Sequence, residues 1–147
     1  MRETRYNLPC NIAQTLNLIG DRWTLLVLHE ILVGTKTFND LKKQLLGISS
    51  NILSDRLKHL EKSGLVRSSL YSEHPPRYEY ALTESGKALE PVFNAMVLWG
   101  SEHLDPCYKK LVHTTCQHEV EIAYYCPHCE ENVTQLETTV LRDEVTE

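Results

Sequence analysis

The sequence holds no run of 18 or more apolar residues, which argues against a membrane-spanning helix. Its N-terminus lacks the charged, apolar and small-residue succession of a secretory signal, so a soluble, cytoplasmic protein with no membrane partner is expected. It has no Gly-rich phosphate loop, no GxSxG and no HExxH, the signatures of phosphate-binding, serine-nucleophile and zinc-protease chemistry. No enzyme is expected. Positive charge is also in short supply: 15 Lys and Arg face 20 Asp and Glu over 147 residues, a net charge of -5. That figure alone makes nucleic acid a poor partner.

The distribution of charge reverses that impression. Residues 1–105 hold twelve charges of each sign, whereas residues 106–147 hold three basic against eight acidic. Within 36–67 seven basic residues stand against three acidic ones. A local basic surface decides phosphate binding more than the mean does. Of five cysteines, four follow residue 106, which fits a metal site or redox chemistry better than a secreted disulfide framework.

The stretch from Gly47 to Leu65 reads as a helix of about four turns, with the serines as N-cap and Gly64 as stop signal. Leu53, Leu57 and Leu60, with Ile52 beside them, make its apolar face; Ser50, Asn51, Ser54, Asp55, Lys58 and Lys62 make the other. Small polar groups and lysines opposite a buried face suit the DNA major groove. Upstream, Ile12, Leu16 and Ile19 mark a first helix ending at Gly20. Asp21 is placed to cap a second, nearly all-apolar and central helix from Arg22 to Val33. Thr37 caps a third, with Phe38, Leu41 and Leu45 inward, and the third and fourth helices form a helix-turn-helix. Leu65–Tyr71 and Arg77–Leu82 read as a hairpin with Pro75 and Pro76 at its tip, a wing whose Arg77 can enter the minor groove. Thr83 caps a long helix to about His103, kinked at Pro91. Its stripe of Leu89, Val92, Phe93, Met96 and Trp99 is wider than one small domain needs, so part of it is assigned to a dimer surface.

Several segments resemble the HxlR-type transcriptional regulators, winged helix-turn-helix proteins of the MarR-like superfamily. They are Cys10 before a helix, Leu18 to Thr24, Phe38-Asn39-Asp40-Leu41, Gly47-Ile48-Ser49, Leu53 to Leu57, Leu60 to Val66 and Pro75 to Tyr80. The resemblance covers roughly residues 6–104, in order. It implies a homodimer built from the first and last helices of that region, and regulation at an inverted repeat of double-stranded DNA. The fold class expected is mainly α with a small β-hairpin: a winged helix-turn-helix DNA-binding and dimerisation domain over 6–104, then a short, β-rich, acidic, zinc-binding extension over 105–147.

The DNA-contacting set is Lys36, Thr37, Lys42, Lys43, Ser49, Ser50, Asn51, Ser54, Arg56, Lys58, Lys62 and Arg77, with Asn51 and Ser54 as base readers and the lysines on phosphates. For each residue the alternative is an ordinary solvated face, and for Ser49 an N-cap. The dimer set is Ile12, Leu16, Val92, Phe93, Met96 and Trp99. Cys10 stands at a helix start, where the backbone dipole favours thiolate; it is either a redox or electrophile sensor, as in some relatives, or a small packed residue. An oxidant or small molecule is the matching effector. In the tail, Cys116, His118, Cys126 and Cys129 form the zinc set, with His113 or His128 as substitutes and a strand from Glu119 to Tyr125 between. A metal-free hairpin with reduced thiols, or a dithiol pair, is the alternative. The acidic end from Glu130, with Val133, Leu136, Val140 and Leu141, adds a strand and otherwise solvates. The rival function is a winged-helix protein-interaction module with a structural zinc knuckle and no specific DNA binding. The basic 36–67 stretch and Arg77 weigh against it.

Overall fold

The computed structural model describes residues 5–141. In chain order the elements are α1 (Asn11–Ile19), α2 (Thr24–Leu32), α3 (Phe38–Gln44), α4 (Ser50–Lys62), β1 (Val66–Glu73), β2 (Pro76–Leu82), α5 (Glu84–Lys87), α6 (Glu90–His103), β3 (Tyr124–Cys126) and β4 (Glu131–Val133). The chain divides into two compact units, residues up to Phe93 and residues from Asn94, so the division falls inside α6 rather than after it. No helix among the described residues is long and apolar enough to cross a membrane.

The first unit is built on local signals. α1 closes at Gly20, whose amide donates to the Leu16 carbonyl at 2.7 Å. A Cβ there would stand 2.4 Å from that same oxygen, so only glycine lets the chain turn so tightly. Val27, Leu28 and Ile31 of α2 meet Leu41 of α3 and Leu53, Leu57 and Leu60 of α4 in one core, closed by Leu65, Val66 and Leu82 at the root of the hairpin. α2 is less enclosed than its composition suggests, for Leu26 is 53% exposed. Nor does Asp21 cap it: Trp23 occupies the N-cap in a left-handed conformation (φ 84°) and gives no side-chain cap. The Arg22 guanidinium lies 5.6 Å from the centre of the Trp23 ring.

α4 ends in a Schellman motif. Leu65 N–H donates to the Leu60 carbonyl and Gly64 N–H to that of Glu61, both at 3.0 Å, with Gly64 at φ 74°. β1 and β2 then pair antiparallel from Val66↔Leu82 to Glu73↔Pro76, with an irregularity between Leu70 and Ser72. Pro76 opens β2, a position where its missing N–H costs no ladder bond inside the sheet.

Thr83 does cap a helix, but only the one-turn α5: its hydroxyl accepts from Gly86 N–H. Pro91 then lies in the first turn of a new helix, α6, instead of kinking one long one. An N-terminal proline is favourable because its absent N–H would have no partner there anyway. Phe93, assigned to the dimer surface from the sequence, is 6% exposed and belongs to the core, its ring 5.4 Å from that of His29.

The second unit holds most of α6, a bridge pairing Val112 with Glu119, and the β3–β4 hairpin in the register Tyr124↔Val133 to Cys126↔Glu131. The expected strand over 119–125 is thus reduced to β3 and the bridge residue. The added strand is β4 alone, since Leu136, Val140 and Leu141 are exposed and outside any strand. Residues 142–147 of the acidic end lie outside the described residues. Ala95, Leu98 and Trp99 of α6 line a cleft of about 840 Å³ with Lys110, Leu111 and Ile122.

Candidate nucleic-acid interface

α4 is fixed from both ends and from below. Ser49 caps it, its hydroxyl accepting from Ile52 N–H at 3.1 Å. Leu53, Leu57 and Leu60 are 2% exposed or less, so rotation about the helix axis is blocked by the core. Ser50, Asn51, Lys58 and Lys62 are exposed on the remaining surface, and Ser54 is half-buried beside them. Ile52 does not join the apolar face; it is 41% exposed, in line with the polar residues of the first turn.

Arg56 is a correction to the DNA-contacting set. Its guanidinium donates to the carboxylate of Asp21, and its side chain keeps only 16% of its accessible surface. The pair ties α4 to the loop after α1. On the same side, the His59 ring nitrogen lies 2.6 Å from the Leu18 carbonyl oxygen. Both residues position the helix from behind.

α3 and the wing are joined by backbone. Thr37 caps α3, its hydroxyl accepting from Asp40 N–H at 3.2 Å, and also pairs with Glu79 of β2 in an isolated bridge. Tyr80 N–H donates to the Lys36 carbonyl at 2.8 Å. Lys36, Lys42 and Lys43 are exposed around this junction, as are Arg77 near the wing tip and Arg67 on β1. Thr37 and Asn39 share a cleft of about 330 Å³ with Tyr71, Arg77, Tyr78 and Tyr80. Asn39, Tyr71 and Tyr78 escaped the sequence reading, because only the pairing of the wing with the α3 turn gathers them. The Tyr80 hydroxyl is pushed above the usual phenol range, first by burial and then by the nearby Glu61 carboxylate, so it is a neutral donor there.

The remaining candidates are dispersed. Cys10 occupies the N-cap of α1 with an exposed thiol that makes no cap hydrogen bond. Ile12 is 72% exposed, and Leu16, Val92, Met96 and Trp99 are exposed as well. In the tail, Cys116 pairs with His113 and Cys126 with Cys129, and His118 points to neither pair through any hydrogen bond of its ring. The Cys126 thiol is held below the ordinary thiol range, first by the Cys129 N–H aimed at its sulfur.

The model of the HxlR-like helix-turn-helix family matches residues 18–108. An uncharacterized HTH-type transcriptional regulator of Mycobacterium tuberculosis is 37% identical over 132 residues, 88% of this chain and 83% of that one. Among solved structures, PA1607, a candidate transcription factor, has a TM-score of 0.75 at 28% identity, over 93% of this chain and 97% of its own. The oxidized form of the redox regulator HypR has a TM-score of 0.60 at 34% identity, over 65% of this chain and 99% of its own. A winged helix-turn-helix with its fourth helix held outward, matched over most of its length by these regulators, has one assignment: the chain belongs to the HxlR-like helix-turn-helix family of transcriptional regulators.

Proposed function

We propose that this regulator acts as a homodimer that lays two copies of α4 in the major groove of an inverted repeat, about one duplex turn (roughly 34 Å) apart. The observation that carries the reading is the division of α4: three leucines locked into the core, with Ser50, Asn51, Lys58 and Lys62 left to solvent on the other side. Ser50, Asn51 and Ser54 are short enough to meet base edges, Asn51 matching adenine best. Lys42, Lys43, Lys58 and Lys62 neutralise phosphates, and Arg77 takes the wing to the minor groove. Ile12, Leu16, Val92, Met96 and Trp99 supply apolar surface to the second copy, since exposed apolar groups of this size are commonly covered by a partner. Fluorescence anisotropy on fragments selected from the source genome, at two salt concentrations, tests the reading. Binding of equal strength to all fragments, or none, removes the sequence-specific function.

The open thiol of Cys10 at the start of α1 favours control by an oxidant or electrophile. HypR, a redox regulator of similar structure, supports the same reading. Diamide treatment should change the affinity of the parent and leave Cys10→Ser unchanged; an equal response of both rules Cys10 out.

A further inference from the structure

Two turns in the second unit share one backbone. In the first, Gln117 N–H donates to the His113 carbonyl at 2.7 Å, and Gln117 takes φ 60°. In the second, Glu130 N–H donates to the Cys126 carbonyl at 2.8 Å, and Glu130 takes φ 57°. Each turn is closed by strand-like pairing just beyond: His113 N–H donates to the His118 carbonyl at 2.9 Å, and Cys126 pairs with Glu131. Laid over one another, His113 matches Cys126, Cys116 matches Cys129, Gln117 matches Glu130 and His118 matches Glu131. A side chain longer than glycine is strained in the left-handed region. Here it occurs twice, each time directly after a cysteine.

That repetition aligns donors. His113 Nδ1 lies 3.4 Å from Cys116 Sγ, and Cys129 N–H points at Cys126 Sγ from 3.4 Å. Two ligands on one tetrahedral zinc, bonded at about 2.05 and 2.3 Å, stand about 3.6 Å apart. The first pair is already at ligand spacing. His118, favoured by the CxH spacing alone, falls instead on the closing position, where its backbone carbonyl completes the turn.

We propose that the chain binds one Zn²⁺ through His113, Cys116, Cys126 and Cys129, a ligand pair from each turn. Among the described residues no three His, Cys, Asp or Glu side chains converge on one point. Binding at all four positions requires the two turns to close on the ion, which would staple a unit with few buried side chains among the described residues. All four positions are taken by protein, so the site is structural.

The test uses the full chain, reduced and stripped with chelator, then titrated with Co²⁺ and afterwards Zn²⁺. Expected are the visible bands of tetrahedral cobalt with thiolate charge transfer, saturating at one equivalent and erased by one of zinc. His118→Ala should keep the full spectrum, and His113→Ala should weaken binding by more than about tenfold, a loss that even outer-sphere partners can cause. His113→Cys keeps four ligands and should raise the charge-transfer intensity by about a third, from three thiolates to four; this readout does not depend on unfolding. Absence of a tetrahedral spectrum in the parent, loss of it in His118→Ala, or an unchanged spectrum in His113→Cys overturns the assignment.

Discussion

Lys58→Ala and Arg56→Ala separate the proposed phosphate contact from a structural tie two residues away on the same helix. Lys58 is exposed, and no ion pair to it is formed among the described residues. Arg56 is held by Asp21 and mostly covered. Each phosphate neutralised contributes about 0.9 to the slope of log affinity against log salt, so a homodimer that loses Lys58 twice should lose about 1.8. Between about 50 and 200 mM salt that slope difference narrows the gap between parent and variant roughly twelvefold. Arg56→Ala should leave the slope alone and lower the stability of the free protein by about 1 kcal/mol, the upper end for a partly exposed ion pair. Anisotropy over a salt series and urea unfolding read the two quantities independently. A slope in Arg56→Ala flattened as much as in Lys58→Ala would falsify the inward placement of Arg56.

Substitutions at three further positions test the scaffold. Ser49→Ala removes the hydroxyl that accepts from Ile52 N–H and should cost about 1 kcal/mol in urea unfolding; Ser49→Asp should restore most of it. Thr24 is fully buried with a side-chain oxygen that has no partner among the described residues, so Thr24→Val should stabilise by about 1 kcal/mol, and a lower urea midpoint would show that the hydroxyl is satisfied after all. Gly64→Ala forces a Cβ into φ 74° with open space around it, so backbone strain alone should cost about 1–2 kcal/mol; a neutral result would mean that the Schellman turn relaxes freely.

Much of the first unit was legible because its signals are local. Ser49 and Thr37 announce their caps, Leu53, Leu57 and Leu60 announce a buried face, and Gly64 announces the end of α4. What escaped depends on distant partners. Asp21 has the chemistry of a cap, but Arg56, 35 residues away, competes for its carboxylate. Phe93 and Val92 are neighbours on an apolar stripe, yet one enters the core and the other does not, which periodicity cannot decide. Pro91 reads equally as a kink or a fresh start until the one-turn α5 is seen to end before it. In the tail, the phase of the first turn depends on Val112 pairing with Glu119, so spacing within the CxH alone points to His118 while the turn sets the His113 ring beside Cys116.

The bridge between Thr37 and Glu79, with the bond from Tyr80 N–H to the Lys36 carbonyl, fastens the root of the wing to the turn that starts α3. A unit built this way behaves as a stiff caliper: the separation between α3 and the wing is preset. If the proposed dimer binds an inverted repeat, any tolerance for altered half-site spacing must then come from flexing where two copies join or from bending of the duplex itself.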